Sequence, residues 1–363
     1  MRLALSVKLG PGLLGNIFDG LLRPLSGAGQ YVAPGARQTR AAQSYAFQPT
    51  VQPGDRLNRG AVFGAVQRPD ARAQRCLLPP DCAGEVVSVA QPGEYPEDQP
   101  LCVLRGPGDA VCEVSMSHRW PVRMPRPVAQ RVPVEGPLFT GQRILDSMFP
   151  LGCGGRAAMP GGFGTGKTIL QETLAKWCDA EVIVYVGCGE RGNEMAGVLH
   201  EFPQLDDPYT GRPLMERTVI IANTSNMPVA AREASVYTAV TLAEYYRQMG
   251  LDVLLIADST SRWAQALRET SGRKEEIPGP EAFPMYISTL ISAFYDRAGV
   301  EMLPDGATGS LSIIGTVSPA GGNFDEPVTQ ATLLSTGAFW GLSRALSDAR
   351  KYPAIDRIDS TSK

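Results

Sequence analysis

Residues 161–168 read Gly161-Gly162-Phe163-Gly164-Thr165-Gly166-Lys167-Thr168. This stretch matches the phosphate-binding loop pattern G-x-x-x-x-G-K-[ST]. Its glycines let successive backbone N–H groups turn inward and form a nest for an anion. The Lys167 ammonium can then reach the β- and γ-phosphates of a nucleotide, and the Thr168 hydroxyl can ligate Mg²⁺. All eight residues are therefore predicted to bind the nucleotide, and the alternative is an ordinary glycine-rich turn.

The sequence on either side of this loop favours phosphate binding over a simple turn. A short apolar run at residues 157–159 leads into the loop, and residues 168–178 have the pattern of a helix. An apolar segment before the loop and a helix behind it are the context expected for this motif.

Length and composition indicate a folded chain with a sizeable core. The chain has 363 residues, of which 43% are hydrophobic, enough for one large domain or two smaller ones. With 34 basic and 37 acidic side chains the net charge is −3, which gives no reason to expect a nucleic-acid partner. The sequence has no apolar run that approaches the ~18 residues of a membrane-spanning helix.

The cysteines argue against a zinc site. There are seven cysteines, none of them in a C-x-x-C pair, and only two histidines, whereas many zinc sites use paired cysteines. An odd number of cysteines in a chain of this size favours free thiols in a reducing cytosol.

The chain divides into two regions of different pattern. Residues 26–127 are rich in Pro and Gly, with short apolar runs such as 61–63 and 85–89, and this predicts a small all-β module. The alternative is a poorly ordered insertion. From about residue 137 onward, strand and helix patterns alternate, which predicts right-handed βαβ units in a doubly wound, mainly parallel sheet. Such a sheet binds its ligands at the carboxyl ends of the strands.

The second region contains continuous β-rich runs, as in parallel strands that are covered on both faces. The predicted strands are residues 181–187, 218–223 and 252–258. The predicted helices are residues 190–202, 228–249, 261–270 and 281–298.

Three acidic residues follow predicted strands. Asp258 ends an apolar run, so its carboxylate is expected at the edge of the sheet, where it can hold Mg²⁺; a cap for the next helix is the alternative. Glu190 is the candidate to orient the water that attacks a γ-phosphate. Glu194, four residues later on the same predicted helix face, is a candidate to hold a metal-bound water. For Glu190 and Glu194, the alternative is that acidic residues simply favour the first turn of a helix.

Two arginines are assigned to the same predicted site. Arg191 is expected near the transferring phosphate. Arg262, one helical turn beyond Asp258, is expected to steady the phosphate or to pair with a carboxylate such as Glu190, and a solvated surface position is the alternative. The predicted catalytic residues are therefore Glu190, Lys167, Arg191 and Arg262, and the predicted metal ligands are Thr168, Asp258 and Glu194.

Several longer segments resemble signatures of the catalytic A subunit of V/A-type rotary ATPases, and the resemblance covers nearly the whole chain. These segments are residues 10–20 (GPGLLGNIFDG), 160–168 (PGGFGTGKT), 187–195 (GCGERGNEM), 226–235 (NMPVAAREAS), 257–264 (ADSTSRWA) and 318–327 (SPAGGNFDEP). The Pro- and Gly-rich insertion resembles the bulge domain that distinguishes A subunits from their paralogues.

The resemblance implies an α/β fold, a RecA-like P-loop NTPase with a doubly wound sheet and an inserted small all-β domain. It implies a catalytic subunit that hydrolyses or synthesises ATP, with ATP or ADP and Mg²⁺ bound, coupled to proton or sodium transport across a membrane. By motif matching, Glu190 is the carboxylate that activates water and Asp258 is the Walker-B acid.

The resemblance also implies partners and a location. B subunits are expected to alternate with A subunits in a hexameric ring and to supply an arginine finger. Central stalk subunits and, indirectly, the ion-translocating membrane sector complete the complex. The chain is expected on the cytoplasmic side of a membrane, as a peripheral part of this assembly.

Matched to the family, the chain is expected to divide into four parts. Residues 1–25 are expected to be a remnant of an N-terminal barrel and the start of the nucleotide-binding domain, and residues 26–127 the β-rich insertion with its return linker. Residues 128–350 are expected to form the RecA-like domain, and residues 351–363 the truncated start of a C-terminal helical domain. Two positions depart from the family pattern, since Gly162 stands where Pro is common and Asn323 where an acid is usual.

Two other functions stay open at this stage. One is a truncated module that binds nucleotide without hydrolysing it, which the missing terminal parts suggest. The other is a related hexameric ATPase of a flagellar or secretion system, against which the bulge-like insertion argues.

Overall fold

The computed structural model describes residues 4–25, 43–68 and 71–363. Its strands up to the end of the insertion are β1 (Ser6–Leu9), β2 (Ile17–Phe18), β3 (Ser44–Pro49), β4 (Arg56–Leu57), β5 (Val62–Arg68), β6 (Ala71–Leu77), β7 (Gly84–Val89), β8 (Gly93–Pro96), β9 (Cys102–Arg105), β10 (Val111–Val114) and β11 (His118–Pro121). The later strands are β12 (Gln130–Val132), β13 (Pro137–Leu138), β14 (Leu151–Gly152), β15 (Arg156–Pro160), β16 (Val182–Glu190), β17 (Thr218–Thr224), β18 (Asp252–Asp258), β19 (Gly299–Met302), β20 (Thr308–Val317), β21 (Ala338–Phe339) and β22 (Thr361–Ser362). The helices are α1 (Arg143–Met148), α2 (Lys167–Trp177), α3 (Gly192–Glu201), α4 (Val229–Arg247), α5 (Thr260–Arg273), α6 (Ile287–Tyr295), α7 (Pro327–Ser335) and α8 (Arg344–Asp348).

One large sheet organises the second region of the chain. Its main path, in the part of the chain that is described, runs β2-β17-β16-β18-β20-β15-β21-β22. Neighbouring strands are parallel from β2 to β21. Strand β22 is antiparallel to β21, and the antiparallel strands β19 and β12 extend from β20. The predicted fold class, a mainly parallel α/β sheet, is confirmed.

Alternate residues of the central strands pack against helices on opposite faces of the sheet. In β16, Val182, Val184 and Val186 belong to a cluster with residues of α4 and α5. Ile183 and Tyr185 belong to a second cluster with residues of α2 and α3. Because side chains alternate between two buried faces, this stretch is apolar throughout. Because β16, β17, β18 and β20 are parallel, their carboxyl ends lie at the same edge of the sheet.

The insertion folds as the predicted all-β module. Its strands form two antiparallel sheets, β6-β5-β3-β8 and β10-β9-β7-β4, around a core that includes Phe47, Phe63 and Leu104. The predicted start of the insertion, at residue 26, lies outside the described residues. After the module, β11 pairs with β1 and leads the chain back to the large sheet.

The module corrects the expectation of free thiols. Cys82 and Cys112 form a disulfide, with a sequence separation of 30 and Cα atoms 6.6 Å apart. The thiols of the other cysteines are free. The expectation is therefore wrong for this pair, because these two residues meet only when the turn at Cys82 folds against β10, and a count of cysteines carries no such information.

Three of the elements that differ from the prediction have an identifiable cause. The strand predicted to end at residue 187 continues to Glu190, and α3 begins only at Gly192. The helix predicted at 281–298 is wrong over its first part, since Pro284 has no N–H to donate and disfavours helical geometry in the residue before it. Strand β20 lies in the centre of the sheet but is not predicted, because small polar residues interrupt its apolar pattern.

Residues 351–363, which are all among those described, contain no helix and lie along the edge of the large sheet. The backbone N–H of Ser343 donates to the Ala354 carbonyl at 2.8 Å, and that of Asp356 to the Gly341 carbonyl at 2.8 Å. The pairing of β22 with β21 continues this contact. The segment therefore lies beside β21 and residues 341–343, which in turn pair with β15 and the start of the loop that follows it.

Helix α4 carries a buried ionic cluster that ties the end of the insertion to the large sheet. Glu244 accepts hydrogen bonds from Arg297 Nε at 2.9 Å, from Arg297 Nη2 at 2.5 Å and from the backbone N–H of Arg126 at 3.1 Å. All three residues are at most 4% exposed. Since Arg126 lies on the segment that returns from the module, this cluster fixes that segment against α4.

Replacement of Glu244 by alanine removes the acid that these buried groups share. We expect Glu244→Ala to lower the free energy of unfolding by about 3–5 kcal/mol, because a buried charge loses its compensation. Urea unfolding followed by circular dichroism measures the change. Glu135→Ala at an exposed position is the control, with an expected change below about 0.5 kcal/mol. Equal effects of the two substitutions would contradict the assigned role of the cluster.

Candidate active site

The loop at residues 161–166 joins β15 to α2. Strand β15 ends at Pro160, and Lys167 is the first residue of α2. Gly164 and Gly166 have φ angles of +78° and +84°, a left-handed backbone geometry that glycine adopts readily. The Thr165 hydroxyl donates to the Gly162 carbonyl at 2.9 Å and closes the loop. The loop thus ends at a helix N-terminus, where the dipole and the free N–H groups favour an anion.

The Lys167 side chain folds back over this loop. Its Nζ donates to the Gly161 carbonyl at 2.5 Å and to the Gly162 carbonyl at 3.2 Å. Burial lowers the pKa of Lys167, and nearby carboxylates act in the opposite direction. These carboxylates belong to Asp258, Glu190 and Glu194. The fold has therefore brought together residues that the sequence assigned to one site.

Asp258 is the last residue of β18 and is 7% exposed. Its Oδ1 accepts a hydrogen bond from Thr316 Oγ1 at 2.7 Å, and its Oδ2 accepts one from the Tyr185 hydroxyl at 3.2 Å. Burial raises the pKa of Asp258, while these hydrogen bonds oppose the rise. The carboxylate lies at the sheet edge as predicted, but these two hydroxyl donors are not found from the sequence.

Glu190 is the last residue of β16 and follows a β-bulge in the pairing with β17. A bulge re-aims the side chains next to it. The Glu190 carboxylate lies 3.4 Å from Arg262 Nε. Burial, and next the negative charge of Asp258, raise the pKa of Glu190 to about 8. The carboxyl group of Glu190 therefore titrates closer to neutral pH than an ordinary glutamate does.

Glu194 and Arg191 lie where α3 begins. Glu194 is in the first turn of α3, and its side chain hydrogen-bonds with Glu190. The Arg191 guanidinium lies over the Phe163 ring, with Cζ 4.7 Å from the ring centroid. The prediction that Glu190 and Glu194 share a helix face is wrong, because Glu190 belongs to the strand. The two side chains nevertheless line the same cleft.

This cleft has a volume of about 1000 Å³. Two of the predicted residues, Gly161 and Thr165, are not among the residues that line it, and the Thr165 hydroxyl bonds within the loop. The predicted residues that line it are Gly162, Phe163, Gly164, Gly166, Lys167, Thr168, Glu190, Arg191, Glu194, Asp258 and Arg262.

Two further segments line the cleft without being predicted as site residues. The first follows β20, and its lining residues are Ser318, Pro319, Gly321, Gly322 and Phe324. A signal for it existed, since residues 318–327 carry part of the family resemblance. The second segment includes Arg344, Tyr352, Asp356 and Asp359. No local pattern could reveal it, because it reaches the cleft only through pairing at the sheet edge.

An apolar recess of about 370 Å³ lies next to the loop, between α2 and the C-terminal segment. Its lining includes Ile169, Leu342, Tyr352 and Pro353. The Tyr352 ring packs so closely on Gly166 that a Cβ there would lie 3.2 Å from it. The Ser347 hydroxyl donates to the Gly164 carbonyl at 2.9 Å. Residues 352–354 thus form one wall of the recess, and Ser347 of α8 supports the loop.

Comparison with known families identifies this architecture. Residues 141–362 match the family model described as the ATP synthase alpha/beta family, nucleotide-binding domain. The chain belongs to the ATP synthase alpha/beta family. Residues 37–123 match the model described as the alpha/beta subunit barrel-sandwich domain of the same family, and this match contains the strands of the insertion.

Relatives within this family confirm the predicted resemblance to A subunits. The chain is 53% identical over 365 residues to the A subunit of the A-type ATP synthase from Methanosarcina barkeri. It is 50% identical over 366 residues both to the corresponding A subunit from Methanopyrus kandleri and to the V-type ATP synthase alpha chain of Halothermothrix orenii. Each alignment covers 99% of this chain and 62% of the relative. The chain therefore spans less than two thirds of the length of these relatives.

The similarity of this chain to solved structures shows only its fold. An ATPase from the type III secretion system of pathogenic bacteria superimposes with a TM-score of 0.65 at 23% identity, covering 99% of this chain and 77% of that chain. The secretion ATPase EscN from enteropathogenic E. coli gives a TM-score of 0.64 at 23% identity, with 99% and 64% covered. This distant likeness does not favour a secretion ATPase over the A-type relatives. In the described part of the chain, no helix is both long enough and apolar enough to cross a bilayer.

The environment of Glu190 makes its titration a test of the geometry. In the nucleotide-free chain we expect a pKa of about 8 for Glu190. Asp258→Asn should lower this pKa because a neighbouring negative charge is lost, and Arg262→Met should raise it because a cation 3.4 Å away is lost. Carbon-13 NMR of labelled glutamate carboxyl groups, with Glu190→Gln to identify the resonance, measures it.

Arg344→Met provides the control for this titration. Arg344 lines the cleft but pairs with Asp348 at 3.7 Å, so its removal should leave the Glu190 pKa unchanged. A wild-type Glu190 pKa near 4.5, the usual value for Glu, would show that the acidic residues are not assembled as described. A pKa that stays the same in Arg262→Met would show this as well.

Proposed function

We propose that this chain is the nucleotide-binding and catalytic part of a V/A-type rotary ATPase, which hydrolyses or synthesises ATP coupled to proton or sodium transport across a membrane. The observation that carries the proposal is the convergence of Lys167, Glu190 and Asp258 on one cleft at the loop. A lysine and a loop suffice to bind phosphate, whereas two buried carboxylates beside them suit hydrolysis. The names of the relatives support the same function.

In this proposal the loop N–H groups and Lys167 hold the phosphates of ATP. The Lys167 ammonium would exchange its two loop carbonyls for β- and γ-phosphate oxygens, which are charged and accept stronger hydrogen bonds. Arg191 and Arg262 line the same cleft. They can therefore stabilise the charge that develops on the transferring phosphoryl group.

Glu190 is proposed to orient and polarise the attacking water. The water attacks the γ-phosphorus in line with the departing ADP oxygen, and the Glu190 carboxylate accepts its proton. A general base is most effective when its pKa is near the working pH, and burial has raised that of Glu190 to about 8. The contact with Arg262 restricts the direction in which this carboxylate faces.

The donor set at this edge of the sheet fits Mg²⁺. Thr168, Asp258 and Glu194 offer only oxygen ligands, which this ion prefers. The described residues contain no cluster of three or more His, Cys, Asp or Glu side chains suited to a metal, which is compatible with an ion held partly by substrate phosphates and water. Thr168 and Asp258 would hold the ion and Glu194 a bound water. The ion would supply neutralising charge at the β- and γ-phosphates.

The apolar recess supports a nucleotide as the ligand rather than a free polyphosphate. It adjoins the loop, and the side chains of Ile169, Leu342, Tyr352 and Pro353 offer a surface on which a planar base can pack. Adenine is the base that the proposed reaction requires.

The complex around this chain belongs to the same proposal. B subunits alternate with this subunit in a hexameric ring and supply an arginine to the cleft, and central stalk subunits and the membrane sector complete the assembly. The chain then lies on the cytoplasmic side of a membrane as a peripheral part. The domain divisions 1–25, 26–127, 128–350 and 351–363 are proposed with it.

The proposal predicts different effects for two substitutions. Lys167→Ala should weaken ATP binding by roughly 10- to 100-fold, because a charged hydrogen-bond donor contributes about 1.5–3 kcal/mol. Glu190→Gln should preserve binding and slow hydrolysis by roughly 10²- to 10⁴-fold, because a general base is lost. Titration calorimetry on the chain measures binding, and phosphate release in an assembly with B subunits measures turnover.

Glu201→Gln is the matched control for Glu190→Gln. It makes the same chemical change at an exposed position of α3 outside the cleft, and both properties should stay at the wild-type level. Tight binding without phosphate release beside B subunits would support a silent nucleotide-binding module instead. Unchanged turnover in Glu190→Gln would remove Glu190 from the proposed mechanism.

A further inference from the structure

Tyr185 is a buried polar residue for which the proposed reaction gives no role. It lies in β16 and is 1% exposed, with its ring 5.5 Å from that of Phe202. Its hydroxyl lies 3.2 Å from Asp258 Oδ2 and 3.2 Å from Gln171 Oε1. A hydroxyl has one proton to donate, and a carboxylate is the stronger acceptor. The bond to Asp258 is therefore the stronger of these two contacts.

Thr316 contacts the same carboxylate from the other side. It lies in β20 and is fully buried, and its Oγ1 donates to Asp258 Oδ1 at 2.7 Å. Strand β18, which ends in Asp258, lies between β16 and β20. Each carboxylate oxygen of Asp258 thus receives one hydroxyl donor, and each donor comes from a different neighbouring strand.

Two donors on opposite oxygens restrict rotation of the carboxylate about its terminal bond. The torsion angle about this bond otherwise has a broad distribution. A carboxylate has about four acceptor sites on its two oxygens, so these two hydroxyl donors leave acceptor capacity for a cation or its water. Neutral hydroxyls also leave the negative charge of Asp258 in place, which a pairing arginine would offset. The arrangement fixes the direction of the carboxylate and preserves its charge.

The Tyr185 hydroxyl also contacts the helix that carries the phosphate-binding residues. Gln171 is one turn along α2 from Lys167 and Thr168, and it is fully buried. The same hydroxyl therefore lies between α2 and the end of β18. Because hydrogen bonds from surrounding residues fix the orientation of metal ligands in proteins, this contact relates Asp258 to the position of Thr168.

We propose that Tyr185 and Thr316 are positioning residues that hold the Asp258 carboxylate in the orientation needed to bind Mg²⁺ with the nucleotide. This inference rests on the proposed function. Tyr185 and Thr316 act only through Asp258 and touch neither phosphate nor metal. Their loss should therefore weaken the contribution of Mg²⁺ to nucleotide binding and leave metal-free binding intact.

The test compares the affinity of the full chain for ADP in Mg²⁺ and in EDTA by titration calorimetry. Thr316→Val keeps the shape of the side chain and removes the hydroxyl, and Thr316→Ser keeps the hydroxyl. We expect Thr316→Val and Tyr185→Phe each to reduce the Mg²⁺-dependent gain in affinity about tenfold, in line with one charge-assisted hydrogen bond. Affinity in EDTA should be unchanged, and Thr316→Ser should restore the gain.

Two buried control variants make the same chemical changes elsewhere. Thr332→Val removes a hydroxyl that bonds within α7, and Tyr245→Phe removes one from α4. Both should leave the ratio of affinities at the wild-type value. Equal losses in Mg²⁺ and in EDTA would show that Tyr185 and Thr316 only maintain the fold, and this result would overturn the proposal. An unchanged ratio, or no rescue by Thr316→Ser, would overturn it as well.

A double-mutant cycle separates this proposal from the proposed function, because it needs no nucleotide. Thr316→Val and Asp258→Asn are made singly and together, and their urea midpoints are compared. Non-additive midpoints support the contact, and additive midpoints overturn the proposal even when nucleotide binds. A wild-type chain that binds no nucleotide in either buffer would refute the proposed function, while the cycle still reports on the contact.

Discussion

Two carboxyl groups, those of Glu190 and Asp258, are buried at the ends of adjacent parallel strands. Burial of a charge costs free energy unless partners compensate it. Here the compensation is incomplete, since the pKa of each group is raised despite the contacts with Arg262, Lys167 and Thr316. The strand order supplies this arrangement, because β18 lies between β16 and β20 and the loop after β15 turns Lys167 toward it. A positive charge placed beside these two carboxyl groups would therefore stabilise their ionised forms.

Helix α4 connects this acidic pair with the rest of the molecule. Near its start, the Arg232 carbonyl accepts a hydrogen bond from the Cys188 thiol, and the Arg232 side chain packs on Gly189 so closely that a Cβ there would lie 2.6 Å from Cδ. Gly189 also has a φ of +70°, so a larger residue would disturb the turn that presents Glu190. Near the end of α4, Glu244 holds the segment that returns from the β-module. One helix therefore fixes both the strand that ends in Glu190 and the inserted module.

The sequence is informative where structure is decided locally. The loop, the apolar runs of the parallel strands and the acid at the end of β18 can each be recognised within about ten residues, and so the fold class and most of the cleft are predictable. The features that the sequence does not predict depend on contacts between distant segments. Thr316 reaches Asp258 only because β20 enters the centre of the sheet, and Cys82 meets Cys112 only because the turn between β6 and β7 folds against β10. The boundary at Glu190 fails for another reason, since glycines that resemble the end of a strand form a bulge within it.

The charges that line the cleft explain why backbone geometry matters so much in it. Its acidic residues are Glu190, Glu194, Asp258, Asp356 and Asp359, and its basic residues are Lys167, Arg191, Arg262 and Arg344. With all of them ionised the lining carries no excess of positive charge, so side-chain electrostatics alone cannot concentrate a highly charged anion there. In the proposed function, attraction for phosphate comes at short range from Lys167, from the oriented N–H groups of the loop and from the N-terminus of α2. In the same proposal, a cation that enters with the nucleoside triphosphate balances its remaining negative charge, and the Asp258 carboxylate is proposed to help hold that cation.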